Sequence, residues 1–263
     1  MKQLLWSLLF ALATPAVASA QLNYPGGIVE LAIEKNSSEM PDVRYGLREP
    51  VIIETAEQWR ILIGISLETL PGEYLVYFKR AIESSEGEYL KVEVKQKKYP
   101  EFKETLGNTE RVLTRNRKKT SDIDFSNTQQ PDLPLKLPTD GDWNDTFGHQ
   151  IYQEKNRQLK SLNGISMTTT KLAAVVSPQN AIVTRIDTDS EDLSTLYLDH
   201  GRGLLSILQG ITDITVEPGN GVVAGAVLGK LPASESPSEP HSLIWQTQLN
   251  GAFVNPLLLT KIE

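Results

Sequence analysis

Short apolar runs broken by turn residues recur along this chain, and no long helical period interrupts them. Val51-Ile52-Ile53 and Ile61 to Leu67 are strand-like by their β-branched content. Pro71-Gly72 is a turn pair, and Tyr74 to Phe78 follows it, so the pattern predicts a hairpin between the second run and the third. Val92 and Val94 alternate with Lys91, Glu93 and Lys95, the period of a half-buried strand. Residues 21–106 therefore read as a small β-sandwich-like domain. The pattern lapses after Leu106. Arg111 to Lys119 holds five basic residues, and Thr120 to Asp142 is polar and carries Pro131, Pro134 and Pro138. Residues 107–142 read as a polar linker. Its basic run is a solvated stretch or a contact for anionic polymer or headgroups. From residue 143 to 263 strands resume at Val175-Val176, Ala181 to Ile186, Leu193 to Leu198, Gly203 to Leu208, Ile214 to Val216, Leu243 to Leu249 and Phe253-Val254. The fold class predicted is all-β.

The first twenty residues break the pattern in another way. Lys2 precedes an apolar run from Leu4 to Val17, and Ala18-Ser19-Ala20 follows. This is a secretory signal with cleavage before Gln21; the run is short for a membrane anchor. No later segment of the mature chain is long and apolar enough to span a bilayer as a helix. Export to the periplasm or cell envelope of a bacterium is the expectation. Cysteine is absent, which removes disulfides, thiolate nucleophiles and thiolate metal ligands. The net charge of -7 argues against a nucleic-acid partner.

The C-terminal half resembles the lysostaphin/LytM family of zinc endopeptidases, which cut peptide cross-links in peptidoglycan. Four segments carry the likeness. They are Asn163-Gly164-Ile165 with Thr170 to Val183; Leu198-Asp199-His200-Gly201-Arg202-Gly203-Leu204-Leu205-Ser206; Ile214 to Gly229 with its spaced glycines; and Leu243-Ile244-Trp245 with Leu249-Asn250-Gly251-Ala252-Phe253-Val254-Asn255-Pro256. Their order and spacing agree as far as Pro256. The resemblance implies a LytM-like (duplicated hybrid motif) β-domain over 143–263, with sheets framing an open groove. In active members two histidines and one aspartate on the groove floor hold zinc, and two more histidines polarise the scissile carbonyl and move protons.

This chain departs at every one of those positions. The family's H-x-G-x-D falls on Leu162 to Ser166, so Leu162 replaces one histidine ligand and Ser166 the aspartate. Its H-x-H-W falls on Ser242 to Trp245, so Ile244 replaces the last ligand and Ser242 a catalytic histidine. The remaining histidine falls on Gly210. Zinc needs imidazole, carboxylate or thiolate donors at about 2 Å. Aliphatic side chains have none, and a neutral hydroxyl is a poor ligand. No catalytic residue, metal ligand or cofactor is therefore assigned. The candidate site is a binding groove formed by Leu162, Asn163, Ser166, Gly210, Ser242, Ile244 and Trp245, with Trp245 equally readable as a core residue. By resemblance, metal-free members bind and switch on wall amidases. The expected function is a non-catalytic regulator of peptidoglycan remodelling whose partner is a wall hydrolase. Two alternatives stay open: a scaffold that binds peptidoglycan itself, and a metalloendopeptidase with a rebuilt site.

The remaining chemistry is sparse. The histidines are His149, His200 and His241. His200 lies in the Asp-His-Gly segment, where the family histidine is structural. Pairing His241 with His200 on a metal would need a one-residue slip, which sends a strand side chain to the opposite face. Ser166, Ser206 and Ser242 lack the G-x-S-x-G setting of a nucleophile. Asp187, Asp189 and Glu191-Asp192 read as a solvated hairpin loop.

Overall fold

The computed structural model describes residues 16–18, 22–35, 38–46, 49–79, 87–102, 127–153, 158–189, 192–233 and 240–262. Most of the expected leader, the basic run and the loop at 234–239 lie outside them.

The N-terminal half is a two-sheet sandwich. One sheet has the order β1-β2-β5-β4, made of β1 (Ala16–Ala18), β2 (Ile28–Glu34), β4 (Val51–Glu54) and β5 (Gln58–Gly64). The other has the order β3-β6-β7, made of β3 (Asp42–Arg44), β6 (Gly72–Lys79) and β7 (Glu88–Val94). Leu31, Ile61 and Ile63 meet Val76, Phe78 and Val92 between the sheets. Val51-Ile52-Ile53 and Ile61-Leu62-Ile63 are apolar at every position because their sheet is covered twice. Ile52, Ile61 and Ile63 face the second sheet, while Val51, Ile53 and Leu62 join the core of the C-terminal half. A sheet with one wet face alternates; one buried on both faces does not.

That double burial corrects the expected hairpin across Pro71-Gly72. β5 pairs with β2 and β4, whereas β6 pairs with β3 and β7. The chain crosses between sheets there, because the two apolar runs bury against one another face to face rather than edge to edge.

The C-terminal half continues with β8 (Glu101–Phe102), β9 (Trp143–Asn144), β10 (Gln150–Gln153), β11 (Gln158–Ser161), β12 (Ile165–Thr169), β13 (Ala173–Val176), β14 (Ala181–Thr188), β15 (Ser194–Gly201), β16 (Leu204–Ile211), β17 (Gly221–Val222), β18 (Val227–Leu231), β19 (His241–Leu249) and β20 (Ala252–Val254). The main sheet has the order β17-β14-β15-β16-β19-β12-β9, with β20 on β19; β13 and β18 form a separate ribbon. Ile214 to Val216, expected as a strand, is irregular. Asp213 sits at φ 48, and that left-handed residue ends the run of β16. A four-residue helix, α1 (Pro256–Leu259), follows Asn255, whose side chain accepts from the Leu257 N–H, with Pro256 in the first turn.

Residues 127–142 are bound rather than solvated. The Leu135 N–H donates to Leu259 O at 3.0 Å, Lys136 N–H to Pro178 O at 2.9 Å, and Val176 N–H to Pro138 O at 2.7 Å. Leu135 is buried in the core. Polar composition concealed this because the segment docks through its backbone, the amide side chains of Asn127 and Gln130, and Leu133 and Leu135.

Candidate functional site

The predicted site lies where β16, β19 and β12 run side by side. Gln209 stands opposite Ile244, and Ile244 opposite Ser166. Directly opposed residues of antiparallel strands share a face, so these three form one row. Ser242 is on the same face, opposite Thr168. Ile165, Met167, Leu243 and Trp245 point to the other side, into the core. Leu162 precedes β12 and is held by its backbone, donating to His149 O at 2.9 Å and accepting from Gly148 N–H at 2.7 Å. The register thus brings Ser166, Ser242 and Ile244 onto one face.

Trp245 does not belong with them. It is fully buried, its ring meets Trp143 edge-on at 6.0 Å, and its Nε1–H donates to Ser206 Oγ at 3.2 Å. Alternation forbids Trp245 from sharing a face with Ile244. Leu162, Ser166, Gly210, Ser242 and Ile244 are buried too, and Asn163 is half-buried. This face is therefore packed.

Gly210 is fixed as glycine by its backbone. Its φ is 97, and a Cβ there would lie 2.3 Å from the Ser242 carbonyl oxygen. Left-handed backbone and that carbonyl together restrict the position to glycine. A histidine cannot be seated there without moving β19.

Two residues that the motifs did not nominate complete the face. Gln209 Nε2 donates to Gln246 Oε1 at 2.9 Å, with both side chains buried. Gln246 Nε2 has no hydrogen-bond partner among the described residues. Strand alternation from Ser242 through Ile244 reaches Gln246, so its placement was readable once the register was known. The donor set at this face is two amides, two hydroxyls and aliphatic carbon. It does not fit zinc, which takes imidazole, carboxylate or thiolate. Among the described residues there is no group of three or more His, Cys, Asp or Glu side chains placed to hold a metal ion.

His200 is spent on structure. Its Nδ1 lies 2.9 Å from Asn180 O and its Nε2 2.8 Å from Ser206 Oγ. A neutral ring donates from Nδ1 to the carbonyl and accepts the Ser206 proton at Nε2, leaving the Ser206 oxygen to accept from Trp245. Burial pushes the His200 pKa down to about 4, opposed by the Asn180 carbonyl. Ser206 is wholly buried, which closes the serine-nucleophile reading there. His241 stands opposite Thr169 and projects away from the Ser242 face, so the slipped-register pairing with His200 does not form. Asp187 accepts from Arg185 Nε at 3.0 Å, and Asp189 Oδ1 accepts from the Leu193 N–H at 3.1 Å. Asp187 lies within β14, so the acidic stretch is partly strand rather than wholly loop.

Comparison with known proteins agrees with this architecture. Residues 160–256 match the model of peptidase family M23. A solved peptidase M23 structure from Pseudomonas aeruginosa is similar over 91% of this chain and 95% of its own, with 23% identity and a TM-score of 0.66; this likeness shows the fold. Csd3 of Helicobacter pylori aligns over 90% of this chain and 48% of its own, at 13% identity and a TM-score of 0.40. A chain of the SpoIIQ–SpoIIIAH pore-forming complex aligns over 48% of this chain and 90% of its own, at 18% identity and a TM-score of 0.38. No curated protein matches. Residues 160–256 of this chain are a peptidase family M23 domain, set behind an N-terminal β-sandwich.

Proposed function

We propose that this chain is a non-catalytic M23-domain protein of the bacterial envelope, which regulates peptidoglycan remodelling by binding and activating a wall hydrolase of the amidase type. The observation that carries this reading is the row across β16, β19 and β12. Its members are Gln209, Ile244 and Ser166, and the resemblance sets Ser166 and Ile244 where active relatives carry zinc ligands. With no side chain of a general base at Gly210 or Ser242, the proton transfers of peptide hydrolysis have no carrier at those positions. What such a domain offers a partner is shape and apolar contact. The floor is buried in the free chain, so its exposure must accompany binding of a partner segment there. The leader expected at 1–20 supports delivery to the envelope. Among the described residues no helix is long and apolar enough to cross a membrane.

The test is a pull-down of envelope hydrolases on the purified chain, paired with digestion of purified sacculi by the captured hydrolase. The expected result is capture of an amidase and a faster release of muropeptide when this chain is added. Cross-link cleavage by this chain alone, with one zinc bound per molecule, would instead establish the metalloendopeptidase. Absence of both capture and stimulation rejects the regulator.

A further inference from the structure

The turn between β15 and β16 carries a cation without a counter-ion. Arg202 sits there at φ 48 between Gly201 and Gly203, and Asn250, in the turn between β19 and β20, sits at φ 46. Left-handed backbone is uncommon outside glycine, and where a bulky residue holds it the surroundings impose it. The two turns are tied together. The Asn250 N–H donates to Gly203 O at 2.8 Å, and the Arg202 N–H donates to Asn127 O at 2.8 Å. A Cβ on Gly203 would fall 1.7 Å from Asn250 Oδ1, so only glycine lets the amide lie against the Arg202 turn.

Both side chains keep unused donors. Arg202 Nη1 donates to the Met40 sulfur, a weak acceptor. Its Nε is buried and has no partner among the described residues, and the same holds for Asn250 Nδ2. Among the described residues no carboxylate forms an ion pair with the Arg202 guanidinium. Arg202 and Asn250 line a cavity of about 610 Å³ between the sandwich and the M23 domain. The sandwich side of this cavity supplies Pro41, Val43, Pro50 and Ile52, with Asp42 and Glu49 exposed at its rim.

Two other arginines show what such a guanidinium edge takes. Arg44 Nε and Nη2 donate to Asp42 Oδ1 and Oδ2 at 2.9 and 3.2 Å. Arg185 Nε and Nη2 donate to Asp187 Oδ1 and Oδ2 at 3.0 and 2.5 Å. A planar fork matches a planar carboxylate through two parallel bonds. In Arg202 the same edge is unclaimed, and a buried donor without a partner costs free energy that a ligand oxygen removes. The cavity holds one uncommitted cation, and two carboxylates stand at its rim, so it balances a monoanion and repels a dianion. Its apolar wall suits an apolar body beside the charged head.

We propose that this interdomain cavity binds a monocarboxylate with an apolar body, its carboxylate taken by the Nε–Nη2 edge of Arg202 and by Asn250 Nδ2. The proposal goes beyond the hydrolase reading and does not depend on it, because Leu162, Ser166, Gly210, Ser242 and Ile244 do not line this cavity.

The probe is N-acetyl-L-leucine, titrated into the purified full chain by calorimetry, with N-acetyl-L-leucinamide as its neutral match. The expected result is saturable binding of the acid, a melting temperature that rises with it, and binding of the amide weaker by about tenfold. Arg202→Lys keeps a cation but loses the fork, and its affinity should fall about tenfold. Asn250→Asp keeps a residue type that tolerates left-handed backbone, exchanges the donor for a like charge, and should abolish binding. Melting of the ligand-free variants near the parent separates lost contact from lost fold, and the acid-against-amide comparison needs no variant. Octanoate identifies the body: tighter binding of octanoate assigns an acyl chain and tighter binding of acetylleucine an amino-acid residue, and either result supports the carboxylate site. Equal affinity for acid and amide, unchanged affinity in Arg202→Lys, or inorganic phosphate competing as well as the acid overturns the proposal. So does failure of both acids to bind.

Discussion

His200 is neutral and enclosed, with a carbonyl on one ring nitrogen and a hydroxyl on the other. In the unfolded chain the ring takes a proton near the ordinary value of 6.5; in the folded domain it does so only near 4. A folded-state pKa below the unfolded one means that the unfolded chain binds the proton first as pH falls. The contribution of His200 to stability is therefore fully present above about pH 6.5 and is lost progressively toward pH 4. Urea unfolding at pH 7.5, 5.5 and 4.5 should show the parent losing stability more steeply than His200→Asn. Carboxylates contribute to both slopes, so the difference between parent and variant isolates the histidine. Equal slopes would mean that the ring is accessible to protons in the folded state. The same residue shows what sequence alone left open. The Asp-His-Gly pattern marked a structural histidine, but its partners Asn180 and Ser206 are set by strand register, which composition does not encode.

At the level of the strand, the three positions where the resemblance sets zinc ligands make a sharper prediction. Leu162, Ser166 and Ile244 fall where the resemblance sets the ligands, and Ser166 stands directly opposite Ile244. The combined variant Leu162→His, Ser166→Asp, Ile244→His should bind one zinc per chain and show a melting temperature that rises with zinc, because ligand binding to the folded state stabilises it. It should still release no peptide from sacculi, since Gly210 and Ser242 provide no proton carrier. Adding Gly210→His should lower soluble yield sharply, given the carbonyl 2.3 Å from any Cβ there. Elemental analysis and a turnover assay read both outcomes; failure of the triple variant to bind zinc would show that the register is no longer a metal site. The strands of this site were legible because glycines and apolar alternation bracket them. The Gln209–Gln246 pair was not, since glutamine carries no distinctive spacing and only cross-strand pairing brings the two amides together. The expected β5–β6 hairpin failed for a related reason. A turn signal such as Pro71-Gly72 fixes where the chain reverses, while the burial of both faces of β5 decides which sheet each strand joins.

Across the whole molecule the two domains share a core. Ile28, Val51, Ile53 and Leu62 of the sandwich lie in one apolar cluster with Leu204, Leu249 and Val254 of the M23 domain. Polar ties reinforce this contact. The Gln130 amide accepts from Glu54 N–H at 2.8 Å and donates to Glu54 O at 3.1 Å, matching the backbone of a strand edge. Asn127 Nδ2 donates to Asp199 O at 3.1 Å, and the Arg202 N–H donates to Asn127 O at 2.8 Å. Residues 127–130 thus grip both domains at once. A continuous core makes unfolding cooperative across the boundary, so calorimetry should give one transition whose van't Hoff and calorimetric enthalpies agree. Gly64 is the point at which to break it. A Cβ there would meet Leu249 Cβ at 2.9 Å and Ala252 Cβ at 3.1 Å. Gly64→Val should therefore overpack the interface at a cost of about 1–3 kcal/mol and split the single transition into two, the sandwich and the M23 domain melting separately. Two transitions in the parent would show instead that the shared cluster does not couple the halves. One unshifted transition in Gly64→Val would show that the interface can give way locally.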